Sequence, residues 1–145
     1  MNFLITGGCG FIGVSLIEKI TTNTDNTIRV LDNLSVGSRS DLSQVCDWFE
    51  NKNSEFNLPC LNNKVELIVG DVLDREISIK ICQGIDVIIH LAGNTGVPVS
   101  VENPRDDLMN NIIGTFNYLD SARKNNVSRF IFASSGAPVG ETKPP

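Results

Sequence analysis

Residues 6–13 read TGGCGFIG, a stretch in which glycine recurs at every third position from Gly7 to Gly13. The run Phe3–Thr6 before it has the β-rich composition of a strand. The stretch Phe11–Ile20 that follows carries apolar residues at helical spacing. The sequence therefore predicts a strand, a tight glycine turn and a helix in direct succession.

Each of the three glycines has its own role in such a turn. Gly7 lets the chain turn sharply out of the strand, and Gly10 leaves room for a ligand to reach backbone N–H groups. Gly13 lets the helix pack close to the strand. Because a helix N-terminus has unbonded N–H groups and a partial positive charge, it favours a diphosphate. The predicted diphosphate contacts are Gly7, Gly10, Phe11, Ile12 and Gly13.

Asp32 stands where a ribose-binding carboxylate is expected. It ends the predicted strand Thr27–Asp32 and follows Gly13 by 19 residues, close to the spacing of about 20 found in dinucleotide-binding proteins. A carboxylate at this point accepts hydrogen bonds from the ribose hydroxyls and repels a 2′-phosphate. Arg39 is near in sequence but not adjacent, so the pattern favours NAD over NADP.

The rest of the chain alternates strands and helices. The predicted strands are Phe3–Thr6, Thr27–Asp32, Val65–Gly70, Ile85–Leu91 and Arg129–Ala133, and the helices are Phe11–Ile20, Ser38–Glu50, Asp74–Cys82 and a long helix over 104–124. Residues 51–64 and 136–145 are interpreted as loops. Right-handed crossovers predict a doubly wound parallel α/β sheet of the Rossmann type, with strand order 3-2-1-4-5 and helices on both faces. We expect one domain over residues 1–145, with Ser38 or Ser40 and Asp74 as helix N-caps.

Composition excludes several classes of partner. The net charge is −5 and the basic residues are scattered, which argues against a nucleic-acid surface. No apolar run is long enough to span a bilayer, and no basic leader precedes the first strand, so we expect a cytoplasmic protein.

The cysteines and the single histidine do not form a metal-binding pattern. None of the four cysteines belongs to a C-x-x-C motif, and His90 lies in an apolar run, where we expect it to pack structurally. We predict no metal site, and free thiols rather than a disulfide between Cys46 and Cys60.

The long helix over 104–124 has an unusually wide apolar arc. Its members are Leu108, Met109, Ile112, Ile113, Phe116, Leu119 and Ala122. This arc is wider than one packing contact requires. Either the helix is deeply buried, or it packs on the sheet and also forms a homodimer contact.

Five further motifs follow the glycine turn in order. They are Leu31-Asp32-Asn33-Leu34, Gly70-Asp71-Val72, His90-Leu91-Ala92-Gly93, Asn111-Ile112-Ile113-Gly114-Thr115 and Ala133-Ser134-Ser135. Together the motifs resemble the extended short-chain dehydrogenase/reductases, specifically the NAD-dependent epimerases and dehydratases such as UDP-glucose 4-epimerases. The resemblance covers essentially the whole chain. It implies NAD as cofactor, a nucleotide sugar (UDP-sugar) as substrate, and interconversion at C4 by hydride transfer to and from NAD.

The resemblance also implies a role for each matching residue. Asn33 is expected beside the cofactor with Asp32, and Asp71 and Val72 beside the adenine. Leu91, Ala92 and Gly93 would line the path from ribose to nicotinamide, and Asn111 would face the cofactor from the long helix. Ser134 is expected at the cofactor, and Ser135 resembles the catalytic serine that hydrogen-bonds the reacting sugar hydroxyl.

Part of the family's chemistry is missing from these residues. Such enzymes use Tyr-x-x-x-Lys, but the only tyrosine, Tyr118, has no lysine four positions later. Val139 stands where the family often has tyrosine, and the C-terminal substrate lobe is absent. We therefore expect a truncated, inactive domain. The alternatives are a dehydratase, for which no Asp-Glu pair follows Ser135, and a non-catalytic NAD-binding protein.

Overall fold

The computed structural model describes residues 1–23, 25–51 and 65–135. Residues 52–64 of the loop predicted at 51–64 and the loop predicted at 136–145 lie outside the described residues, as do Cys60 and Val139. Cys9, Cys46 and Cys82 are free thiols, as expected.

Six parallel strands form a single sheet. They are β1 (Asn2–Thr6), β2 (Thr27–Asp32), β3 (Trp48–Glu50), β4 (Val65–Val69), β5 (Val87–His90) and β6 (Arg129–Phe132), in the spatial order β3-β4-β2-β1-β5-β6. The five predicted strands therefore lie in the predicted order, and β3 adds an edge strand beside β4. β1 lies in the middle of the sheet and pairs with both β2 and β5, so β2 and β4 lie on one side of it and β5 and β6 on the other.

The helices of the described residues connect these strands. They are α1 (Phe11–Thr21), α2 (Arg39–Ser43), α3 (Arg75–Ile81), α4 (Val97–Glu102), α5 (Pro104–Asp107) and α6 (Gly114–Lys124). The predicted N-caps are confirmed. Ser38 caps α2 in a capping box with Asp41, and Asp74 caps α3 by accepting from the N–H groups of Glu76 and Ile77.

Apolar side chains cover both faces of the sheet, as a parallel sheet requires. Leu4 and Ile5 are neighbours on β1 but point to opposite faces, and both are fully buried. Leu4 belongs to a cluster completed by Ile81, at the end of α3, and by residues of α6. Ile5 belongs to a second cluster that contains Ile17 of α1 and Leu42 of α2. Helices therefore lie on both faces, as predicted.

The helix predicted over Ser38–Glu50 is wrong in its second half. The helix ends at Ser43, and Trp48–Glu50 instead pairs with β4 in parallel. Arg39 at the start of α2 donates to both carboxylate oxygens of Glu50, at 2.8 and 3.2 Å. Pairing with a distant strand, and not local propensity, therefore decides this segment.

The long helix over 104–124 is interrupted. A π-helical segment, Leu108–Ile113, joins α5 to α6. Tyr118 and Ala122 face the sheet and are buried. On the outer side Ile112, Phe116 and Leu119 are 59%, 59% and 46% exposed. The helix is therefore not deeply buried on all sides. The other alternative, in which it packs on the sheet and also forms a homodimer contact, stays a prediction.

A buried ion pair joins two central strands. Arg29 of β2 and Glu66 of β4 are register partners, and Arg29 Nε donates to Glu66 Oε2 at 2.7 Å. Their side chains are 0% and 3% exposed. Arg29 also donates to the carbonyl of Ile81, and Glu66 accepts from Asn51. Each charge is therefore compensated by its partner and by further hydrogen bonds, as burial in a low-dielectric interior requires.

Within the described ranges, no helix is long and apolar enough to cross a membrane. The same residues contain no group of three or more His, Cys, Asp or Glu side chains arranged to hold a metal ion.

Replacing one member of the buried pair tests its contribution to stability. We expect Arg29→Met to lower the free energy of unfolding by about 3–5 kcal/mol, because it leaves the Glu66 carboxylate buried without its countercharge. The half-exposed Arg39–Glu50 pair supplies the control, since Arg39→Ala should cost much less. Urea denaturation followed by circular dichroism measures both. Equal losses for the two variants would contradict this account.

Candidate functional site

A crevice of about 380 Å³ lies at the carboxyl ends of the central strands. Open parallel sheets bind ligands at this edge, beside the strand at which the later strands begin to be added on the opposite side of the sheet. The lining residues are Gly7, Gly10, Phe11, Ile12, Gly13, Leu31, Asp32, Asn33, Ser35, Val36, Gly37, Gly70, Val72, Leu91, Ala92, Gly93, Asn94, Thr95, Asn110 and Ala133. The volume is within the range of small-molecule and cofactor sites.

Packing requires glycine at both ends of the turn, at Gly7 and Gly13. Gly7 has φ +70°, and a Cβ there would lie 2.8 Å from the backbone nitrogen of Ala92. A Cβ on Gly13 would lie 2.5–2.6 Å from the backbone of Gly8. Gly7 therefore lets the turn approach the segment after β5, and Gly13 lets α1 pack against the turn.

Gly10 differs from its neighbours in the turn. A Cβ at this position would meet only the carbonyl oxygen of Gly7, at 3.3 Å. Gly10 is the N-cap of α1 and supplies no capping side chain, and the first helical hydrogen bond runs from Val14 N to Gly10 O. The N–H groups of Phe11, Ile12 and Gly13 precede that bond, and all three residues line the crevice. The helix N-terminus is thus presented to the crevice, which suits an anion.

Asp32 is 8% exposed and lines the crevice at the end of β2. Its Oδ2 accepts from the backbone N–H of Cys9 at 2.9 Å, and its Oδ1 accepts from that of Leu34 at 2.8 Å. Because each carboxylate oxygen has more than one lone pair, both retain capacity for a ligand hydroxyl. Burial, with a smaller effect from the Asp32 carboxylate, raises the pKa of the Cys9 thiol to about 12. Cys9 is therefore an inert thiol that packs the turn.

The loop after β2 forms one wall of the crevice, and the sequence analysis identified only its first residue, Asn33. Ser35, Val36 and Gly37 all line the crevice. A Cβ on Gly37 would overlap the backbone of Cys9, so only glycine lets this loop rest on the glycine turn. Leu34 has a left-handed backbone conformation, with φ +58°, and its N–H donates to the Asp32 carboxylate at the start of this loop.

Val72 lines the crevice near the end of β4, as the sequence analysis expected, but Asp71 is not among the lining residues. Asp71 Oδ1 accepts from the N–H of Leu73 at 2.9 Å, and its Oδ2 lies 3.5 Å from the Asn33 side-chain nitrogen. Asp71 therefore contacts Asn33, which lines the crevice, but does not line the crevice itself.

The opposite wall follows β5. Leu91, Ala92 and Gly93 line it as expected, and Asn94 and Thr95 extend it. Asn94 donates its N–H to Asn111 Oδ1 at 2.7 Å and accepts from Asn111 Nδ2 at 3.2 Å. A Cβ on Gly93 would lie 2.9 Å from Asn111 Oδ1, so glycine is needed for this contact.

Asn111 thus clamps the wall instead of facing the crevice, and Asn110 lines it in its place. The expectation for Asn111 came from the family resemblance, which implied that it faces the cofactor from the long helix. In a π-helix the N–H of each residue bonds five positions back, here from Gly114 to Met109, so the helix face that a residue presents changes locally. Such interruptions are frequent at functional sites.

Ala133, just beyond β6, lines the crevice, whereas Ser134 and Ser135 are exposed and lie outside the lining. Both serines follow the carboxyl end of a strand next to the crevice, as the sequence analysis expected. Tyr118 lies elsewhere: it is fully buried, and its hydroxyl has no hydrogen-bond partner among the described residues. It is therefore not a base for crevice chemistry, in agreement with the sequence analysis.

One signal could have added residues to the predicted site. Gly70 and Ala133 end predicted strands and Asn94 follows one by three residues, and the carboxyl ends of parallel strands meet at one edge. Asn110 and Gly37 carry no such signal, because their positions depend on the π-helical segment and on contact with the glycine turn.

Comparison with known proteins identifies the group to which this architecture belongs. The model of the NAD dependent epimerase/dehydratase family matches residues 3–145. The chain is 34% identical over 143 residues to the UDP-glucose 4-epimerase of Yersinia enterocolitica, covering 97% of this chain and 39% of that protein. It is 30% identical over 129 residues to the dTDP-glucose 4,6-dehydratase of Mycobacterium tuberculosis, covering 88% of this chain and 34% of that one.

Structural comparison gives the same group. The UDP-glucose 4-epimerase of Brucella ovis in complex with NAD superimposes with a TM-score of 0.79 at 28% identity, covering 99% of this chain and 38% of that one. The chain thus spans well under half the length of the relatives it matches. Since the family model extends over nearly all of its residues, the chain belongs to the NAD-dependent epimerase/dehydratase family.

Proposed function

We propose that this chain is the NAD-binding portion of a nucleotide-sugar epimerase that interconverts UDP-sugars at C4. The observation that carries the proposal is that the N-terminus of α1 and the buried Asp32 carboxylate lie in one crevice. Diphosphate and ribose are adjacent in NAD, so a single dinucleotide engages both. The names of the epimerase relatives support the substrate class and the C4 position.

The chain's own residues divide the proposed work of binding. Backbone N–H groups of Phe11, Ile12 and Gly13 hold the diphosphate, and Gly7 and Gly10 keep its approach clear. Asp32 and Asn33 hold the adenosine ribose, with Asp71 and Val72 on the adenine side. Leu91, Ala92 and Gly93 form the wall beside the nicotinamide, with Ser134 and the Asn111 clamp at its border. When bound, NAD supplies a hydride acceptor and donor.

Asp32 also favours NAD over NADP. A 2′-phosphate carries negative charge and would approach a buried carboxylate at close range in a poorly screened environment. Both carboxylate oxygens already accept backbone N–H groups, so the side chain cannot turn away without breaking the Cys9 and Leu34 contacts. Arg39 does not relieve this repulsion, because it pairs with Glu50.

Ser135 is the proposed catalytic residue on this chain. It is exposed just after β6, at the edge where the crevice opens. A serine hydroxyl here can hydrogen-bond the sugar hydroxyl that loses its proton, and so hold that hydroxyl for the base of the Tyr-x-x-x-Lys motif. The chain contains no such motif, and we propose that it is inactive on its own.

A dehydratase of the same family is the second candidate. The 30% identity to dTDP-glucose 4,6-dehydratase supports this candidate. The glycine turn and Asp32 would serve either reaction. The two reactions share the proposed cofactor site and differ in groups that act on the sugar.

We also propose a homodimer through the helix over 104–124. Ile112, Phe116 and Leu119 recur at helical spacing on the outer face and are exposed. An apolar stripe of this kind suits burial against the same stripe of a second copy.

The cofactor proposal predicts selective loss of binding in Gly10→Ala. The added methyl group meets only Gly7 O, at 3.3 Å, which requires a shift of a few tenths of an ångström, and it would stand in the proposed path of the diphosphate. We expect wild-type protein to bind NAD more tightly than NADP by calorimetry. Gly10→Ala should bind NAD roughly tenfold more weakly with little change in melting temperature. Ser15→Ala, outside the crevice on α1, is the control. Equal affinity of Gly10→Ala and wild type would refute the assignment.

The role of Ser135 can be measured in a chimera in which this chain replaces the matching residues of the Yersinia enterocolitica epimerase. We expect conversion of UDP-galactose to UDP-glucose, observed by NMR, and a decrease in kcat of about 10²-fold in Ser135→Ala. Ser128→Ala, in the turn before β6, is the control. Unchanged kcat in Ser135→Ala would exclude the catalytic role, and conversion by the isolated chain would overturn its proposed inactivity.

Sedimentation velocity tests the homodimer. We expect the wild-type chain to sediment as a dimer and Phe116→Asp to sediment as a monomer, because the new carboxylate would be buried at the contact. Arg123→Ala, on the exposed end of α6, should remain dimeric. A monomeric wild-type chain at high micromolar concentration would disprove the dimer.

A further inference from the structure

His90 joins two threonines inside the protein. Its Nδ1 lies 2.7 Å from Thr6 Oγ1, and its Nε2 lies 3.1 Å from Thr115 Oγ1. The imidazole is 1% exposed and packs near the rings of Tyr118, Phe130 and Phe132. None of these groups lines the crevice, so the function proposed above does not use them.

The proton positions follow from the partners of Thr115. Its hydroxyl donates to the carbonyl of Asn111 at 2.7 Å, and a carbonyl oxygen can only accept. Since a hydroxyl has a single hydrogen, Thr115 must accept from His90. The hydrogen of the neutral imidazole therefore resides on Nε2.

The partners of Thr6 fit the same tautomer. The backbone N–H of Ala92 can only donate, and it donates to Thr6 Oγ1 at 3.4 Å. The Thr6 hydrogen is then free to bond to His90 Nδ1, which accepts when the proton is on Nε2. All donors along this path thus point in one direction.

The path closes on the crevice wall. It runs from Ala92 through Thr6, His90 and Thr115 to Asn111, whose side chain accepts from the N–H of Asn94. Reversing the Asn111 amide would set its NH₂ group against the Asn94 N–H. Ala92 and Asn94 both line the crevice, so the two ends of this wall segment are held by hydrogen bonds that meet at Asn111, one set on its carbonyl and the other on its side chain.

We propose that neutral His90, with its proton on Nε2, is the positioning residue that fixes the crevice wall from Ala92 to Asn94. The consequence for cofactor affinity rests on the NAD site proposed above. No other tautomer satisfies both threonines, so the imidazole with its proton on Nε2 is what links Thr6 to Thr115 in one continuous path. His90 acts through Thr6 and Thr115 and does not touch the ligand.

The surroundings keep the ring in this state. Burial lowers the pKa of His90 from 6.5 to about 4, so the imidazole is neutral near pH 7. Tyr118 is the titratable side chain stacked on it, and burial raises the pKa of that phenol well above its ordinary value.

The first test needs neither a variant nor a cofactor. His90 is the only histidine, so a long-range ¹H–¹⁵N spectrum of the chain at pH 7 contains one imidazole. We expect a protonated Nε2 and an unprotonated Nδ1. A proton on Nδ1, or an even mixture of tautomers, would overturn the proposal.

The second test separates positioning from simple packing. Thr115→Val removes the hydroxyl with little change of shape, and Thr115→Ser restores it. We expect Thr115→Val to accelerate amide hydrogen exchange at Ala92 and Asn94 and to weaken NAD binding about fivefold, the effect of one hydrogen bond. Thr115→Ser should restore both properties. A folded Thr115→Val protein with wild-type exchange at both amides would refute the proposal.

The two readouts distinguish failure of this inference from failure of the proposed function. If wild-type protein does not bind NAD, the cofactor proposal fails, whereas the tautomer and amide exchange still decide the role of His90. If NAD binds and the exchange rates change as expected but affinity does not, the positioning role toward the ligand is wrong.

Discussion

The carboxylate of Asp32 is the contact on which the crevice depends. It joins the glycine turn after β1 to the loop after β2 through the N–H groups of Cys9 and Leu34. Because Asp32 is 8% exposed, these bonds are protected from competing water. Gly37 then rests on the backbone of Cys9, where a larger residue would not fit. The side chain proposed to bind ribose is therefore also what holds two loops in place before any ligand arrives.

Much of this arrangement could be predicted from the sequence, for a definite reason. The roles of Gly7 and Gly13 depend on local backbone geometry, and the position of Asp32 depends on a spacing set by one strand–helix–strand unit. Both are local properties. The edge strand Trp48–Glu50 was missed because its partner is β4, whose residues come later in the chain. The π-helical segment was missed because no residue pattern specifies it, and it changed the role expected for Asn111.

The two walls of the crevice are stabilised in different ways. The wall after β2 is fixed by a charged group and by close backbone packing at Gly37. The wall after β5 is held by the Asn111 amide, which bonds to Asn94 and to the Asp107 carboxylate, and by a buried path through His90. The first wall borders the proposed adenosine site and the second borders the proposed reaction site.

The buried pair of Arg29 and Glu66 has a consequence for how the sheet assembles. β2 and β4 are separated in sequence, so their alignment cannot be set by a tight turn. If the strands slipped by one residue, Arg29 would stand opposite Val65 or Leu67, and two charges would be stranded in an apolar layer. Strands rich in valine, isoleucine and leucine could otherwise pair in several offsets at similar free energy. A pair that adds little net stability can thus reject misaligned sheets during folding.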